Sequence, residues 1–290
     1  MNIAGVREYR RPSNDAEARQ WKPGSSFVAG GTWLYSEPQM SGRITPGQTG
    51  GADAPGIDTI IDLTSLGWTP TAIVDAGLEI AATCRIRDLL DFQSPPEWRA
   101  SVLFQKCAEA LSASFKIYNE ATIGGNICMS LPAGAMISLA HALHAQYTIW
   151  PHEDEAFTIP SSEFHMGILD NKLNPGDILR SILLPAAWLR REAIMDLRSL
   201  THVGRSAALV IATRDVDDGQ IEFSISASVT KPYQLAFQTV PTTAELKDAI
   251  QDNIPEDAYF DDQHGDVYYR RAMTLFLAEK LRTSIKDGAR

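Results

Sequence analysis

Short apolar runs bounded by turn residues recur along the chain and predict β-strands. Each run contains β-branched or aromatic side chains, which fit the pleated surface of a sheet. The predicted strands cover residues 26–29, 59–63, 78–83, 146–150 and 178–184. Because stretches of helical periodicity lie between several of them, the pattern indicates a protein that mixes helices and sheets.

Apolar residues at helical spacing predict helices in the intervening segments. In residues 98–113, apolar side chains recur three and four positions apart, as on one face of an amphipathic helix. Further helices are predicted over residues 15–21 (capped by Ser13), 132–145 and 268–285. Thr242 and Glu245 have the spacing of a capping box and predict the start of another helix.

The order of the elements divides the chain into two parts. A turn at 174–177 marks the boundary, and strands over 207–214 and 221–229 follow it, joined by a hairpin turn and succeeded by helices. Strands followed by terminal helices indicate a small α+β domain. Residues 38–56 are rich in Gly and Pro and predict a long loop. The predicted domains are residues 1–177 and 178–290.

Composition and charge exclude several classes of protein. The 290 residues carry a formal net charge of −10, the wrong sign for binding nucleic acid through phosphate neutralisation or for attraction to anionic lipid. No apolar run approaches the roughly 18 residues that a membrane span needs. A charged segment follows the first residues where a signal peptide would have its apolar core, so we expect a cytoplasmic protein.

The cysteine usage agrees with a reducing compartment. Cys84, Cys107 and Cys128 are odd in number and widely spaced, which fits neither a disulfide framework nor a zinc cluster. We interpret them as three buried, reduced thiols.

Two glycine pairs, Gly30-Gly31 and Gly124-Gly125, are the candidate binding motifs. Each pair ends an apolar run, and glycine allows both a positive φ and a close approach of the backbone to a ligand. Successive backbone amides can then bind an anion such as a diphosphate without a cationic side chain. Neither loop contains Lys or Arg, so amide dipoles would have to hold such a group. Ordinary turns remain the alternative interpretation of each pair taken singly.

The motifs of other common sites are absent from the sequence. The chain has no G-x-G-x-x-G, no P-loop, no H-E-x-x-H and no G-x-S-x-G. His141 and His144 are three positions apart on a predicted helix, but no third metal ligand is in register, so we interpret them as partly buried or capping residues. We interpret the acidic cluster as a solvated turn; it comprises Asp257, Asp261, Asp262, His264 and Asp266.

The two glycine motifs resemble those of one family. Residues 27–34, FVAGGTWL, resemble the AGGT-x-L loop of the FAD-binding subunit of molybdenum hydroxylases, a group that includes xanthine dehydrogenase, carbon monoxide dehydrogenase and related aldehyde oxidoreductases. Residues 121–126, ATIGGN, are similar to the second hallmark of that subunit. Residues 61–66, 77–83 and 173–179 also resemble family segments in the same order, so the resemblance covers nearly the whole chain.

The resemblance implies an α+β fold in two domains. A two-part FAD-binding domain of the vanillyl-alcohol-oxidase/PCMH type would occupy residues 1–177. A smaller α+β domain of the carbon monoxide dehydrogenase flavoprotein type would occupy residues 178–290, with a three-stranded antiparallel sheet plus helices.

The resemblance also implies which residues contact FAD. They are Ala29, Gly30, Gly31, Thr32, Trp33, Leu34, Thr122, Ile123, Gly124, Gly125, Asn126, Ala133, Gly134 and Arg198. Leu131 and Ala135 stand where many members have a serine and an aspartate that hydrogen-bond the cofactor, so two polar contacts are replaced by apolar side chains. No catalytic acid, base or nucleophile and no metal ligand is expected on this chain.

The function that the resemblance implies is electron transfer. Electrons from a molybdenum–pterin centre on a large partner subunit would pass through [2Fe–2S] clusters on a small partner subunit to FAD on this chain, and then to an external acceptor. Such subunits assemble as heterotrimers that can dimerise.

Three alternatives to this function differ in whether and how the chain binds flavin. A stand-alone flavin oxidase of the same superfamily would tether FAD through a His or Cys in its N-terminal loop. The first such residues are Cys84 and His141, which disfavours this alternative. A scaffold that has lost its flavin is left open by Leu131 and Ala135. A module for some other nucleotide is the third.

Overall fold

The structure, a computed structural model, describes residues 6–36, 57–202 and 204–287. The strands, in chain order, are β1 (Glu8–Arg10), β2 (Ser25–Val28), β3 (Thr59–Asp62), β4 (Thr71–Val74), β5 (Gly77–Ala81), β6 (Gln146–Trp150), β7 (Phe157–Pro160), β8 (His165–Gly167), β9 (Asp170–Asn171), β10 (Ile178–Pro185), β11 (Glu192–Arg198), β12 (Ala208–Arg214), β13 (Ile221–Ser226) and β14 (Tyr233–Phe237). The α-helices are α1 (Asp15–Ala18), α2 (Ile86–Leu90), α3 (Val102–Ala110), α4 (Phe115–Glu120), α5 (Ile123–Cys128), α6 (Ala135–Ala142), α7 (Ser161–Phe164), α8 (Ala186–Leu189), α9 (Thr243–Asn253) and α10 (Val267–Asp287).

The strands form three main sheets and one small hairpin. A parallel three-stranded sheet has the order β1-β3-β2, and an antiparallel five-stranded sheet has the order β4-β5-β10-β6-β7. An antiparallel four-stranded sheet, β11-β12-β13-β14, makes up the C-terminal part, and β8 pairs with β9. The mixed α/β fold class is therefore confirmed, but the C-terminal sheet has four strands rather than the predicted three.

The C-terminal sheet is covered on both faces, which explains its nearly continuous apolar strands. In β12, Leu209 and Ile211 join the core beneath α3 and α6, whereas Val210 and Ala212 point the other way into a second core with α9 and α10. Every residue of β13 is buried. The sheet is thus the layer that joins the two cores.

The strand β10 lies in the middle of the five-stranded sheet, where it pairs with β5 on one side and β6 on the other. It therefore packs with the N-terminal elements, although the sequence places it at the start of the second domain. We propose that the division between the domains falls after β10 rather than between residues 177 and 178.

Several helix bounds differ from the sequence predictions. The predicted helix over 98–113 is a 3₁₀ turn, Arg99–Ser101, followed by α3, and α1 ends at Ala18. Asn14, not Ser13, caps α1. The capping box of α9 is confirmed, because Thr242 and Glu245 each accept a backbone hydrogen bond from the other. The predicted loop over 38–56 lies outside the described residues.

The thiols are unpaired, and two of the three are fully buried. Cys84 and Cys107 lie in the core, whereas Cys128 is only partly buried, which corrects the prediction for that residue. Burial raises the pKa of each thiol to about 12. No helix in the described ranges is both long and apolar enough to cross a bilayer.

Candidate functional site

The first glycine loop follows β2 and turns sharply at Gly31, whose φ is +67°. The turn is closed by two backbone hydrogen bonds, from Tyr35 N to Gly31 O and from Ser36 N to Trp33 O, each 2.9 Å long. A Cβ atom on Gly31 would lie 2.4 Å from Cε2 of the Tyr35 ring. The position therefore requires glycine both for its backbone conformation and for the space beside it.

The first loop presents unused hydrogen-bond donors. The backbone amides of residues 30–34 donate to no atom of the residues that the structure describes. All five residues are partly exposed. The indole Nε1 of Trp33 is buried and likewise has no partner among the described atoms. A buried donor without a partner, such as Trp33 Nε1, is rare in proteins, and together with the partly exposed amides it fits an anionic or acceptor-rich ligand.

The second glycine loop is the first turn of α5, and its amides are already bonded within the protein. Ile123 N donates to Cys84 O at 2.8 Å and Gly124 N to Ala82 O at 3.0 Å, while the Thr122 hydroxyl caps the helix by accepting from Gly125 N at 3.1 Å. A Cβ on Gly124 would lie 2.5 Å from the Cβ of Ala82. Gly124 thus serves close packing, and the expectation that both loops present free amides holds only for the first loop.

The two glycine loops meet in space. A Cβ atom on Gly30 would lie 1.8 Å from the carbonyl oxygen of Glu120 and 2.9 Å from Cα of Ala121. Ala121 immediately precedes Thr122, and Gly125 at the other end of the motif is exposed. The family resemblance implies that both loops contact one FAD, and the two loops do converge, with backbone against backbone at Gly30.

The third predicted segment joins the second loop through Asn126. The side-chain Oδ1 of Asn126 accepts a hydrogen bond from Met136 N at 3.0 Å, at the start of α6. Gly134 N closes the preceding turn on Leu131 O at 2.8 Å. Ala135 is 1% exposed, so an apolar side chain suits its position in the core. Ala133 and Gly134 are thus held beside the second loop.

Arg198 contacts helix α10 rather than either glycine loop. Its Nη1 lies 3.6 Å from the Asp196 carboxylate, and its guanidinium lies 5.3 Å from the centre of the Phe276 ring. The guanidinium that faces the first loop is that of Arg205, whose Cζ is 5.9 Å from the centre of the Trp33 ring. Sequence reasoning missed Arg205, which lies in the loop between β11 and β12.

His141, in α6, and His144, just after this helix, have structural roles, as predicted. His141 is 3% exposed, and its Nδ1 is 3.1 Å from the Ser224 hydroxyl. His144 Nε2 is 2.7 Å from the Glu222 carboxylate, and its ring stacks on Trp188 with centroids 3.7 Å apart. No group of three or more His, Cys, Asp or Glu side chains in the described part of the chain could hold a metal ion.

The acidic cluster is an exposed turn, as predicted. Asp257, Asp261, Asp262 and Asp266 are exposed, and Asp262 accepts a hydrogen bond from the buried Arg270 at 2.5 Å. This hydrogen bond therefore anchors the turn to α10.

Replacement of the buried histidines should change how stability depends on pH. Burial lowers the pKa of His141 to about 3 and that of His165 to about 4. Above these pKa values both imidazoles stay neutral in the folded chain, whereas the unfolded chain takes up protons below about pH 6.5. Stability is therefore lost as the pH falls from about 6.5 toward 4. Each histidine contributes a slope of about 1.4 kcal/mol per pH unit there. Urea unfolding of H141N between pH 4.5 and 6 should show a slope smaller by that amount.

A parallel variant checks the assignment of that slope. H165N should produce the same reduction, and H141N/H165N should lose about twice as much. An unchanged slope in both single variants would contradict burial of neutral imidazoles.

One cavity lies apart from the glycine loops. It has a volume of about 740 Å³ and lies between α2 and α3, with Phe92, Pro96, Trp98 and Tyr118 among its lining residues. None of the residues that line it belongs to the glycine loops or to the 133–134 segment. It is therefore a rival location for a ligand.

Comparisons with known proteins agree with the arrangement of these loops. Residues 6–187 match the family described as the FAD binding domain in molybdopterin dehydrogenase. Xanthine dehydrogenase 1 of Arabidopsis thaliana is 29% identical over 165 residues, which make up 53% of this chain and 12% of that protein. Xanthine dehydrogenase of Oryza sativa subsp. japonica is 30% identical over 124 residues, 41% of this chain and 9% of that protein. The chain thus matches only about a tenth of the length of these relatives.

Solved structures share the fold over nearly the full chain. A chain of quinoline 2-oxidoreductase from Pseudomonas putida 86 matches with a TM-score of 0.77 and 16% identity, covering 98% of both chains. A chain of carbon monoxide dehydrogenase from Hydrogenophaga pseudoflava matches with a TM-score of 0.74 and 19% identity, covering 95% of both. At these identities the likeness establishes the fold.

Proposed function

We propose that this chain is the electron-transfer subunit of a molybdopterin-dependent oxidoreductase. The chain belongs to the family of FAD-binding domains in molybdopterin dehydrogenases, because the family match over residues 6–187 covers more than half of the chain. It would accept electrons from [2Fe–2S] clusters on a small partner subunit and pass them to an external acceptor. The observation that supports this most directly is the contact between Gly30 and Glu120, which brings the two glycine loops together.

The residues present fit a bound FAD. The free amides of residues 30–34 and the unpaired Trp33 Nε1 would donate to its diphosphate or its neighbouring oxygens. The glycines at 30 and 31 leave room for close approach, and exposed Gly125 would form the opposite edge. Bound FAD supplies the redox chemistry, while this chain supplies position and electrostatics.

The partner subunits follow from the family resemblance. We place the molybdenum–pterin centre on a large partner subunit and the [2Fe–2S] clusters on a small one, with heterotrimers that can dimerise in the cytoplasm. The matched region is 9–13% of the length of the xanthine dehydrogenase relatives.

The proposed function predicts a yellow protein whose colour is released by acid. The chain should be purified both alone and with the products of neighbouring genes, and its absorption spectrum recorded before and after acid precipitation. We expect flavin bands, released into the supernatant and identified as FAD by mass spectrometry, at about one per chain.

Two other results would contradict this function in different ways. If the chain stays colourless when it is fully assembled with its partner subunits and incubated with FAD, the result would indicate a flavin-free scaffold. Colour that stays with the precipitated protein would indicate a covalently tethered flavin, as in the stand-alone oxidases.

A further inference from the structure

Arg205 lies beside the first glycine loop, although it belongs to the C-terminal part of the chain. It follows β11 and precedes β12, and its side chain is exposed. Its guanidinium is 5.9 Å from the centre of the Trp33 ring, within the range of a cation–π contact. Trp33 is one of the residues whose amide is free, so this cation sits next to the row of unused donors.

The guanidinium of Arg205 has no acidic partner among the described residues. Two buried arginines of the same part of the chain are paired, Arg191 with Asp215 and Arg270 with Asp262. In a chain with 36 acidic and 26 basic residues, no described carboxylate competes with an anionic ligand for this guanidinium.

The backbone beside Arg205 is anchored on both sides. Ser199 and Ser112 each donate a side-chain hydrogen bond to the carbonyl oxygen of Gly204, at 3.1 and 3.4 Å. Ala207 N donates to Arg198 O at 2.7 Å. Ser112 lies shortly before α4, and α4 ends at Glu120, which contacts Gly30. The N-terminal part of the chain therefore also helps to fix the position of Arg205 relative to the first loop.

We propose that Arg205 binds the diphosphate of the cofactor and is the cationic FAD contact of this chain, in place of Arg198, which the family resemblance suggested as an FAD contact. This inference rests on the proposed function. The first loop holds no Lys or Arg of its own, and a guanidinium can donate two parallel hydrogen bonds to phosphate oxygens. Arg198 instead lies against α10, near Phe276, and is paired with Asp196. FAD would therefore be held between the N-terminal loop and the C-terminal sheet, and its binding would fasten the two parts together.

Titration of the flavin-free full chain with FAD, ADP and riboflavin tests this role. R205Q is compared with R205K and with the matched control R198Q, at low and high NaCl. For R205Q we expect the Kd for FAD and for ADP to rise roughly tenfold to a hundredfold, as for the loss of one charge-assisted contact. The dependence of FAD affinity on salt should become weaker. R205K should recover part of the affinity, and R198Q should bind as the wild type does.

The outcomes separate this inference from the proposed function. If wild type binds FAD and R205Q binds it equally well, with the same salt dependence, the role of Arg205 is overturned while the FAD site stands. If R205Q weakens riboflavin as much as ADP, the side chain acts through the fold and its role at the diphosphate is overturned. If neither wild type nor any variant binds FAD, the proposed function itself fails.

Discussion

A Gly30→Ala variant is expected to lose FAD binding and to unfold more easily than the wild type. The added Cβ would lie 1.8 Å from the Glu120 carbonyl oxygen, a backbone atom that cannot turn aside as a flexible side chain can. The two loops would have to separate, at a cost of about 3 kcal/mol, the upper end of the range for overpacked sites. We expect Tm to fall and the Kd for FAD to rise at least about a hundredfold, equivalent to about 2.8 kcal/mol.

The matched control for this variant is Gly167→Ala. A Cβ at position 167 would have its nearest heavy atom, Cβ of Asp170, at 4.0 Å, so the same chemical change meets only ordinary contact. G167A should keep both wild-type stability and FAD affinity. A G30A chain that binds FAD as tightly as G167A would show that the loops need not touch.

Substitution of the two adjacent glycines of the second loop should have unequal effects. In Gly124→Ala the new Cβ would meet Ala82 at 2.5 Å and its carbonyl oxygen at 2.7 Å, so α5 must move off β5 and lose the hydrogen bond from Gly124 N. We expect the free energy of unfolding to fall by about 3 kcal/mol, with a matching loss of FAD affinity. Urea unfolding and FAD titration of the purified variant measure both.

Gly125→Ala is the internal comparison. Its Cβ would meet only the hydroxyl of Thr122, at 2.9 Å. Loss of that cap costs about 1 kcal/mol, which the better helix propensity of alanine largely offsets. Near wild-type stability is therefore expected for G125A. Equal destabilisation by both substitutions would contradict the assignment of Gly124 to packing and of Gly125 to the exposed edge.

Elements with a strong local pattern were predictable from the sequence. The strand over 146–150 has the predicted bounds, and the capping box of Thr242 and Glu245 forms as expected. The strand β11 was missed because its sequence, EAIMDLR, mixes charged and apolar residues that are all half-buried. Its alternate residues reach two different cores, and that partition exists only once the sheet lies between them.

The outline of the candidate site was predictable from the sequence, but its free hydrogen-bond donors were not. The meeting of the two glycine loops followed from the family resemblance, which implies that both contact one FAD, and it is present. The internal use of the second loop's amides depends on the carbonyls of Ala82 and Cys84, which are about forty residues earlier in the chain, so no local pattern reveals it. Arg198 is the last residue of β11 and lies against α10, whereas Arg205 lies in the following loop beside Trp33; these contacts between distant parts of the chain exist only in the folded protein.

Hydrogen exchange of the full chain with and without FAD tests most directly whether the two loops form one cofactor site. The amides of residues 30–34 have no partner among the described atoms and should exchange quickly in the free chain. On addition of FAD they should become protected, together with the exposed edge at Gly125, while the segment that lines the cavity between α2 and α3 stays unchanged. Protection of that cavity segment, with no change in residues 30–34, would contradict the proposed site.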